Sequence, residues 1–256
     1  MKPRTIIVCL SAFMGLQAAA WAQPFGFSVS DANKNLYRID LSTGEAVNQG
    51  PLGYPVDDEI EGLFSIAGKL YGVGEANYGL GGLYDLSEVP GELIGNSRRL
   101  GTEAGAAWDG TRQIAWDLQA DDLLPINTAR SFLYRINPAN GAATFIGFDE
   151  KYADGIAVDS TGRIFATDFR IDCALYRLNP ANGRLTLVGS LGLAPAQCTG
   201  FDSGAAFAPG SSALWAIRED GAIYRINTTT GQATFRAVVT DGGVPVPGDL
   251  EGLDIP

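Results

Sequence analysis

Five acidic residues stand at similar places along the chain, each followed directly or after one further residue by a glycine. They recur at intervals of about 50 residues, as Glu61, Glu103, Asp154, Asp202 and Glu251. Carboxylates bind hard cations such as Ca²⁺ through oxygen, and two carboxylates in unequal surroundings can transfer the protons that hydrolysis requires. Cation binding and acid–base catalysis are therefore the two kinds of chemistry that these side chains offer.

The chain contains no histidine among its 256 residues. This absence excludes Ser-His-Asp and Cys-His nucleophile activation, and it excludes zinc and haem sites that use imidazole. Catalysis, if present, must depend on carboxylates, tyrosine, lysine or a bound metal.

The first 22 residues predict a signal peptide. Met1–Arg4 is a short basic start, Thr5–Leu16 is apolar and uncharged, and Ala20 and Ala22 are the small residues that a signal peptidase recognises. Cleavage before Gln23 leaves a mature domain of residues 23–256. Because the apolar stretch is too short for a membrane span, we expect a secreted or periplasmic protein without membrane insertion.

The cysteine content indicates the redox compartment of the protein, and the charge disfavours some classes of partner. Only Cys173 and Cys198 remain after cleavage, and an even pair in an oxidising compartment predicts one disulfide. The whole chain has a formal net charge of −11, and loss of the basic leader makes it more negative. That charge disfavours nucleic acid and anionic membranes as partners. We expect a monomer that binds a protein, a glycan or a small molecule.

An internal repeat predicts the architecture that positions these side chains. The segment Leu36–Asp40 recurs with little change at Leu133–Asn137, Leu175–Asn179 and Ile223–Asn227, and Leu83–Leu86 is a weaker copy. Five units of about 47 residues use up the mature chain.

Turn signals divide each unit into short strands. The strong copies end in segments that run from Asp or Asn to a glycine, namely Asp40–Gly44, Asn137–Gly141, Asn179–Gly183 and Asn227–Gly231. Another strand follows each turn, and two strands joined by a tight turn precede each copy. Four short strands per unit, repeated at this period, predict the blades of a β-propeller.

The two ends of the chain predict how the ring closes. Glu251–Leu253 matches the first-strand start at Glu61–Leu63, whereas the mature chain begins with a second strand at Phe25–Val29. The C-terminal strand should therefore complete the N-terminal blade and close the ring. We predict an all-β fold, a single propeller of five four-stranded blades.

The Leu-Tyr-Arg-Ile-Asp/Asn-Pro-x-x-Gly unit resembles the repeats of uncharacterised secreted bacterial β-propellers. This resemblance covers nearly all of the mature chain and implies a fold rather than an activity. Calcium-dependent lactonases share a carboxylate-lined channel mouth, and five-bladed glycosidases use three carboxylates and need no histidine. These similarities imply, as an alternative to a binding protein, a carboxylate-based hydrolase of lactones, esters or glycosides.

Propeller topology predicts one strongly acidic face. Most carboxylates fall in the loops of this face, and the basic residues assigned to it are Lys34, Arg130, Lys151, Arg170 and Arg218. The five acidic residues named first should ring the mouth of the central channel on this face. Both cysteines fall there too, so their disulfide should pin two loops beside the mouth.

Three interpretations of the acidic ring follow. It is a solvated surface, or a Ca²⁺ site with Glu61, Asp154 and Glu251 as metal ligands, or a set of catalytic carboxylates. We expect Trp108, in the first strand of the third blade, to pack in the core rather than stack on a sugar. The first hypothesis for function is a non-enzymatic binding propeller that uses its acidic face, with a divalent cation in it.

Overall fold

The structure is a computed structural model that describes residues 24–53, 59–75, 80–88, 90–121, 129–198 and 202–256. These ranges contain β-strands, turns and one short 3-10 turn at Pro195–Gln197, with no α-helix among them. No helix in these ranges is long and apolar enough to cross a membrane. The predicted signal peptide lies outside the described residues.

The described strands form five sheets in a ring, as the repeat predicts. The N-terminal strands of blade 1 are β1 (Phe25–Ser30), β2 (Asn35–Asp40) and β3 (Glu45–Pro51). Blade 2 consists of β4 (Glu59–Ile66), β5 (Lys69–Glu75), β6 (Leu80–Asp85) and β7 (Glu92–Arg98). Blade 3 consists of β8 (Thr102–Asp109), β9 (Ile114–Asp121), β10 (Arg130–Ile136) and β11 (Ala143–Asp149).

The remaining strands build the last two blades and return to the first. Blade 4 consists of β12 (Gly155–Val158), β13 (Ile164–Asp168), β14 (Ala174–Leu178) and β15 (Leu185–Ser190). Blade 5 consists of β16 (Ser203–Phe207), β17 (Leu214–Arg218), β18 (Ala222–Ile226) and β19 (Ala233–Val238). The chain then forms β20 (Thr240–Asp241), β21 (Val244–Pro245) and β22 (Leu250–Asp254).

The C-terminal strand closes the ring, and this prediction is confirmed. β22 pairs antiparallel with β1, placing Glu251 opposite Val29. The short hairpin of β20 and β21 extends the outer edge of the same blade, because Thr240 pairs in parallel with Glu45 of β3. Blade 1 therefore has six strands, and this added hairpin was not predicted.

The hydrophobic core lies between the blades. Five apolar clusters, each made from two neighbouring blades, form successive interfaces around the ring among the described residues. Tyr84, Tyr176 and Tyr224 of the repeat are among the largest fully buried side chains. Full burial of a large apolar side chain stabilises the fold by about 1.5–3 kcal/mol. Leu83 and Tyr84 lie in β6, so the degenerate second copy is a true blade.

The turn glycines of the repeat also join one blade to the next. Gly183, with φ +71°, ends the Asn179 turn of blade 4 and packs against Gly147 of β11 in blade 3. A Cβ atom on Gly147 would lie 2.0 Å from the carbonyl oxygen of Asn182. Gly147 follows a β-bulge opposite Leu133 and Tyr134. Glycine is needed at both positions because the two backbones are in contact.

Candidate functional site

The first strands of the five blades line the central channel. These inner strands are β4, β8, β12, β16 and β22, and each packs against the inner strands of both neighbouring blades. Glycine makes this approach possible: a Cβ on Gly204 would lie 2.3 Å from the carbonyl carbon of Gly252, and one on Gly62 would lie 2.7 Å from Cβ of Ala106. The glycine of the acidic repeat is therefore a packing residue, and the acidic residue before it stands at the channel mouth.

Strand irregularities direct two of these carboxylates. Glu61 is the extra residue of a bulge in β4, since Ile60 pairs with Gly74 and Gly62 pairs with Val73. In β22 the register shifts just after Glu251, where Gly252 has φ +61°. Bulges of this kind change the direction of a side chain and are common near functional sites.

Four of the five predicted residues come together at the mouth. Glu61, Asp154, Asp202 and Glu251 line a shared space of about 10 Å³, together with Ser203 and neighbouring backbone. A space of that size holds one water molecule or one monatomic ion.

The fifth residue, Glu103, does not line this space and instead contacts Arg99 and Gln119. Its Oε2 lies 3.3 Å from Nη1 of Arg99 and accepts a hydrogen bond of 2.5 Å from Nε2 of Gln119. The same arginine lies 3.2 Å from Oδ2 of Asp117, and both carboxylates are fully buried. Arg99 lies between β7 and β8 on the acidic face, so the sequence-based assignment of basic residues to that face was wrong in omitting it. Two buried carboxylates require such a counter-ion.

Asp154 is the most firmly held of the four mouth carboxylates. Its Oδ1 accepts a 2.7 Å hydrogen bond from Oγ of Ser203, and its Oδ2 accepts a 2.9 Å bond from the backbone N–H of Phe169. Burial raises the pKa of Asp154 well above its usual value, and the charges of Asp168 and Asp202 raise it further. The hydrogen bonds oppose this shift by stabilising the ionised form.

Asp202 is partly exposed, and Tyr152 fixes its position. The Tyr152 hydroxyl donates a 2.8 Å hydrogen bond to Oδ1 of Asp202, and Nη1 of Arg170 lies 3.5 Å from the same oxygen. Burial raises the pKa of Tyr152 far above its usual value, so the hydroxyl stays protonated and remains a donor. Sequence reasoning missed Tyr152, and its position two residues before Asp154 was the only signal.

Glu61 and Glu251 lie in surroundings that disfavour their ionised forms. Burial raises the pKa of each well above the usual value, and nearby carboxylates add to the effect, including Glu251 on Glu61 and Asp202 on both. Oε2 of Glu251 is buried and has no hydrogen-bond partner among the described residues. Such a site favours uptake of a proton or of a cation, since either one relieves the repulsion.

The predicted metal ligands share the space without forming a coordination sphere. Among the described residues, no group of three or more Asp, Glu or Cys side chains is arranged to hold a metal ion. Glu61, Asp154 and Glu251 nevertheless line the same cavity. The assignment of Ca²⁺ to these three residues stays a prediction.

The disulfide prediction is confirmed. Cys173 and Cys198 are bonded, with their Cα atoms 5.4 Å apart. Cys173 lies between β13 and β14, and Cys198 lies between β15 and β16. The bond therefore joins an intra-blade loop to the next inter-blade connection, on the face that carries the channel mouth.

The chain matches no protein-family model and no curated protein. A structural genomics protein of unknown function from Bacteroides thetaiotaomicron is 13% identical, with a TM-score of 0.48 over 78% of this chain and 55% of that one. A GH43 glycoside hydrolase engineered to show both endo-xylanase and exo-arabinofuranosidase activity is 11% identical, with a TM-score of 0.55 over 75% of this chain and 43% of that one.

A PQQ-bound aldose sugar dehydrogenase from Streptomyces coelicolor is 13% identical, with a TM-score of 0.46 over 91% of this chain and 84% of that one. The chain spans about half the length of the Bacteroides protein and of the GH43 hydrolase. The likeness to the GH43 hydrolase is one of fold alone at this identity.

Proposed function

We propose that this chain is a binding propeller that works outside the cytoplasm and takes a divalent cation, Ca²⁺, at its acidic channel mouth. One observation carries the proposal: Glu61, Asp154, Asp202 and Glu251 converge on one space of about 10 Å³. The volume matches a single ion, and oxygen ligands are those that Ca²⁺ prefers.

The electrostatics of the mouth support the same conclusion. Burial and the charges of neighbouring carboxylates raise the pKa values of Glu61, Asp154 and Glu251, so ionisation of all three carboxyl groups together is unfavourable. Glu251 also offers a buried oxygen that accepts no hydrogen bond among the described residues. A bound divalent cation would give that oxygen a partner and would allow the carboxylates to ionise together. The ion would then be the point at which the acidic face meets its ligand.

The mouth is less suited to the alternative, a carboxylate-based hydrolase. A glycosidase needs two carboxylates on either side of a bound sugar, about 5 to 9.5 Å apart. The space between the mouth carboxylates, about 10 Å³, holds one ion or water, and a sugar ring is larger. Tyr152 and Arg170 both contact Oδ1 of Asp202, so this oxygen is already engaged within the protein.

Thermal melting of the mature protein tests the cation directly. We expect excess chelator to lower Tm and added CaCl₂ to raise it, because a ligand of the folded state stabilises that state. NaCl at equal ionic strength controls for charge screening. The matched variants are Glu251→Gln, which should lose the Ca²⁺ response, and Glu45→Gln on exposed β3, which should keep it. An unchanged Tm in the wild-type protein contradicts the proposal.

Two other observations, the disulfide and the N-terminal sequence, support the proposal that the protein is exported. An intramolecular disulfide is typical of proteins outside the reducing cytoplasm, and the N-terminal sequence has the three parts of a signal peptide. Mass spectrometry of the protein from the periplasm or medium should find a mature N-terminus at Gln23. Retention of the full-length chain in the cytoplasm would contradict this part of the proposal.

A further inference from the structure

The channel opens on the face opposite the acidic mouth into a second, larger cavity. This cavity has a volume of about 330 Å³, a size that accommodates a small organic molecule. All five inner strands contribute to its wall, through Leu63–Ser65, Ala106–Trp108, Ala157–Val158, Ala205–Phe207 and Leu253–Ile255. The cavity is thus distinct from the space between the mouth carboxylates, which lies at the other end of the same strands.

The wall is mostly apolar, and many of its residues have small side chains. Ala106, Ala157 and Ala205 lie on three consecutive inner strands and are buried. Larger rings stand near the strand ends, where Trp108 and Phe207 are half-buried and line the cavity. Trp108 therefore packs at the edge of the core between blades 2 and 3 and also presents a surface to the cavity.

Asp254 provides the one side-chain charge in this apolar wall. Asp254 is the one ionisable side chain among the lining residues, all of them described, and no lysine or arginine is present to balance it. It is 9% exposed, and its Oδ2 accepts a 2.5 Å hydrogen bond from Oγ of Ser65. Burial raises the pKa of this carboxyl group, and the hydrogen bonds from Ser65 lower it.

The Asp254 carboxylate has capacity for a further donor. An ionised carboxylate offers about four acceptor positions, and Ser65 occupies only part of them through its side chain and backbone. A buried carboxylate without a counter-ion is costly, and a cationic ligand removes that cost. The aromatic wall at Trp108 adds attraction for a cation.

We propose that this cavity binds a small hydrophobic amine, whose ammonium group pairs with Asp254 and whose apolar body lies against Trp108 and Phe207. The apolar wall selects for a hydrocarbon body, and the Asp254 carboxylate selects for a positive charge. The inference is independent of the cation at the acidic mouth, because the two sites share no residue.

Calorimetric titration with 2-phenylethylamine and with its neutral analogue 2-phenylethanol tests the proposal on the mature protein. We expect the amine to bind at least about tenfold more tightly than the alcohol, because a hydrogen bond between charged groups contributes at least that difference in affinity. Asp254→Asn keeps an acceptor for Ser65 and should abolish this preference. The exposed Asp241→Asn is the matched control and should retain it.

A second variant tests the position of the apolar body. Ala206→Leu puts a larger side chain at a half-buried position on the cavity wall and should abolish binding of both ligands, provided that circular dichroism shows a folded protein. If it does not fold, loss of the amine preference in Asp254→Asn decides the question. No amine binding at about 1 mM, or an amine preference that persists in Asp254→Asn, overturns the proposal.

Discussion

Ser203 donates a 2.7 Å hydrogen bond to Oδ1 of Asp154, and this bond ties the inner strand of blade 5 to the carboxylate at the start of the inner strand of blade 4. Oγ of Ser203 also lies 3.1 Å from Oγ1 of Thr167 in blade 4. The backbone N–H of Phe169 occupies the other oxygen of Asp154. The channel mouth is therefore held together in part by a buried polar contact between blades 4 and 5, beside the apolar cluster that the same two blades share.

Removal of the Asp154 carboxylate should destabilise the fold. Asp154→Ala leaves the Ser203 hydroxyl and the Phe169 N–H without their acceptor, and buried donors left unpaired cost about 1–3 kcal/mol. Urea unfolding should show this loss in the free energy of unfolding, while Glu45→Ala on the exposed edge of blade 1 changes it little. A variant as stable as the wild-type protein would show that the polar contact contributes nothing.

Glu251 should make stability depend on pH in a defined direction. Its pKa in the folded protein is raised by burial and nearby carboxylates, so the folded state holds the proton more tightly than the unfolded chain. The contribution of this group is therefore complete below the unfolded pKa of about 4.3 and is lost as pH rises through the folded pKa.

Thermal melts in chelator over about pH 4 to 8 check this expectation. Glu251→Gln should melt above the wild-type protein at the upper end of that range, and the difference should vanish at the lower end. Glu45→Gln, at an exposed position, should show no such trend. A Glu251→Gln protein that melts below the wild type at high pH would mean that the ionised carboxylate is stabilised, contrary to the expectation.

Backbone contact between blades should make Gly147 intolerant of a side chain. In Gly147→Ala the new Cβ meets the carbonyl oxygen of Asn182 at 2.0 Å, and overpacking of this kind costs about 1–3 kcal/mol. Gly248→Ala is the matched control, since no atom lies within 4 Å of the position that its Cβ would take and its φ is not in the left-handed region. Equal stabilities of the two variants in urea would contradict the contact.

The disulfide should contribute measurably to stability. Cys173 and Cys198 are 25 residues apart in sequence, and closing a loop of that length stabilises a protein by about 3.5 kcal/mol in the chain-entropy account. Replacement of both cysteines by serine, or reduction, should lower the free energy of unfolding by this order. Reductant should have no effect on the double variant. Two free thiols in the denatured, unreduced mature protein would refute the bond.

The sequence by itself determined the blades, their number and the closure of the ring. The Leu36–Asp40 repeat and its Asx-to-glycine turns are local signals, and a strand or turn depends mainly on residues close by in the chain. Cys173 and Cys198 could be paired by elimination, because they are the two cysteines that remain after the predicted cleavage removes Cys9. The acidic-glycine repeat also indicated where the channel mouth lies, because each copy stands at the start of an inner strand.

Only the tertiary structure decided what each acidic residue does. Glu61 and Glu251 share a small space in which Oε2 of Glu251 has no hydrogen-bond partner among the described residues. Asp154 is bound by Ser203, and Glu103 is paired with Arg99. These differences depend on side chains from other blades, and an internal repeat carries no information about such contacts. The cavity around Asp254 could likewise not be predicted from the sequence, because its wall consists of a few residues from each of five strands spread over the whole chain.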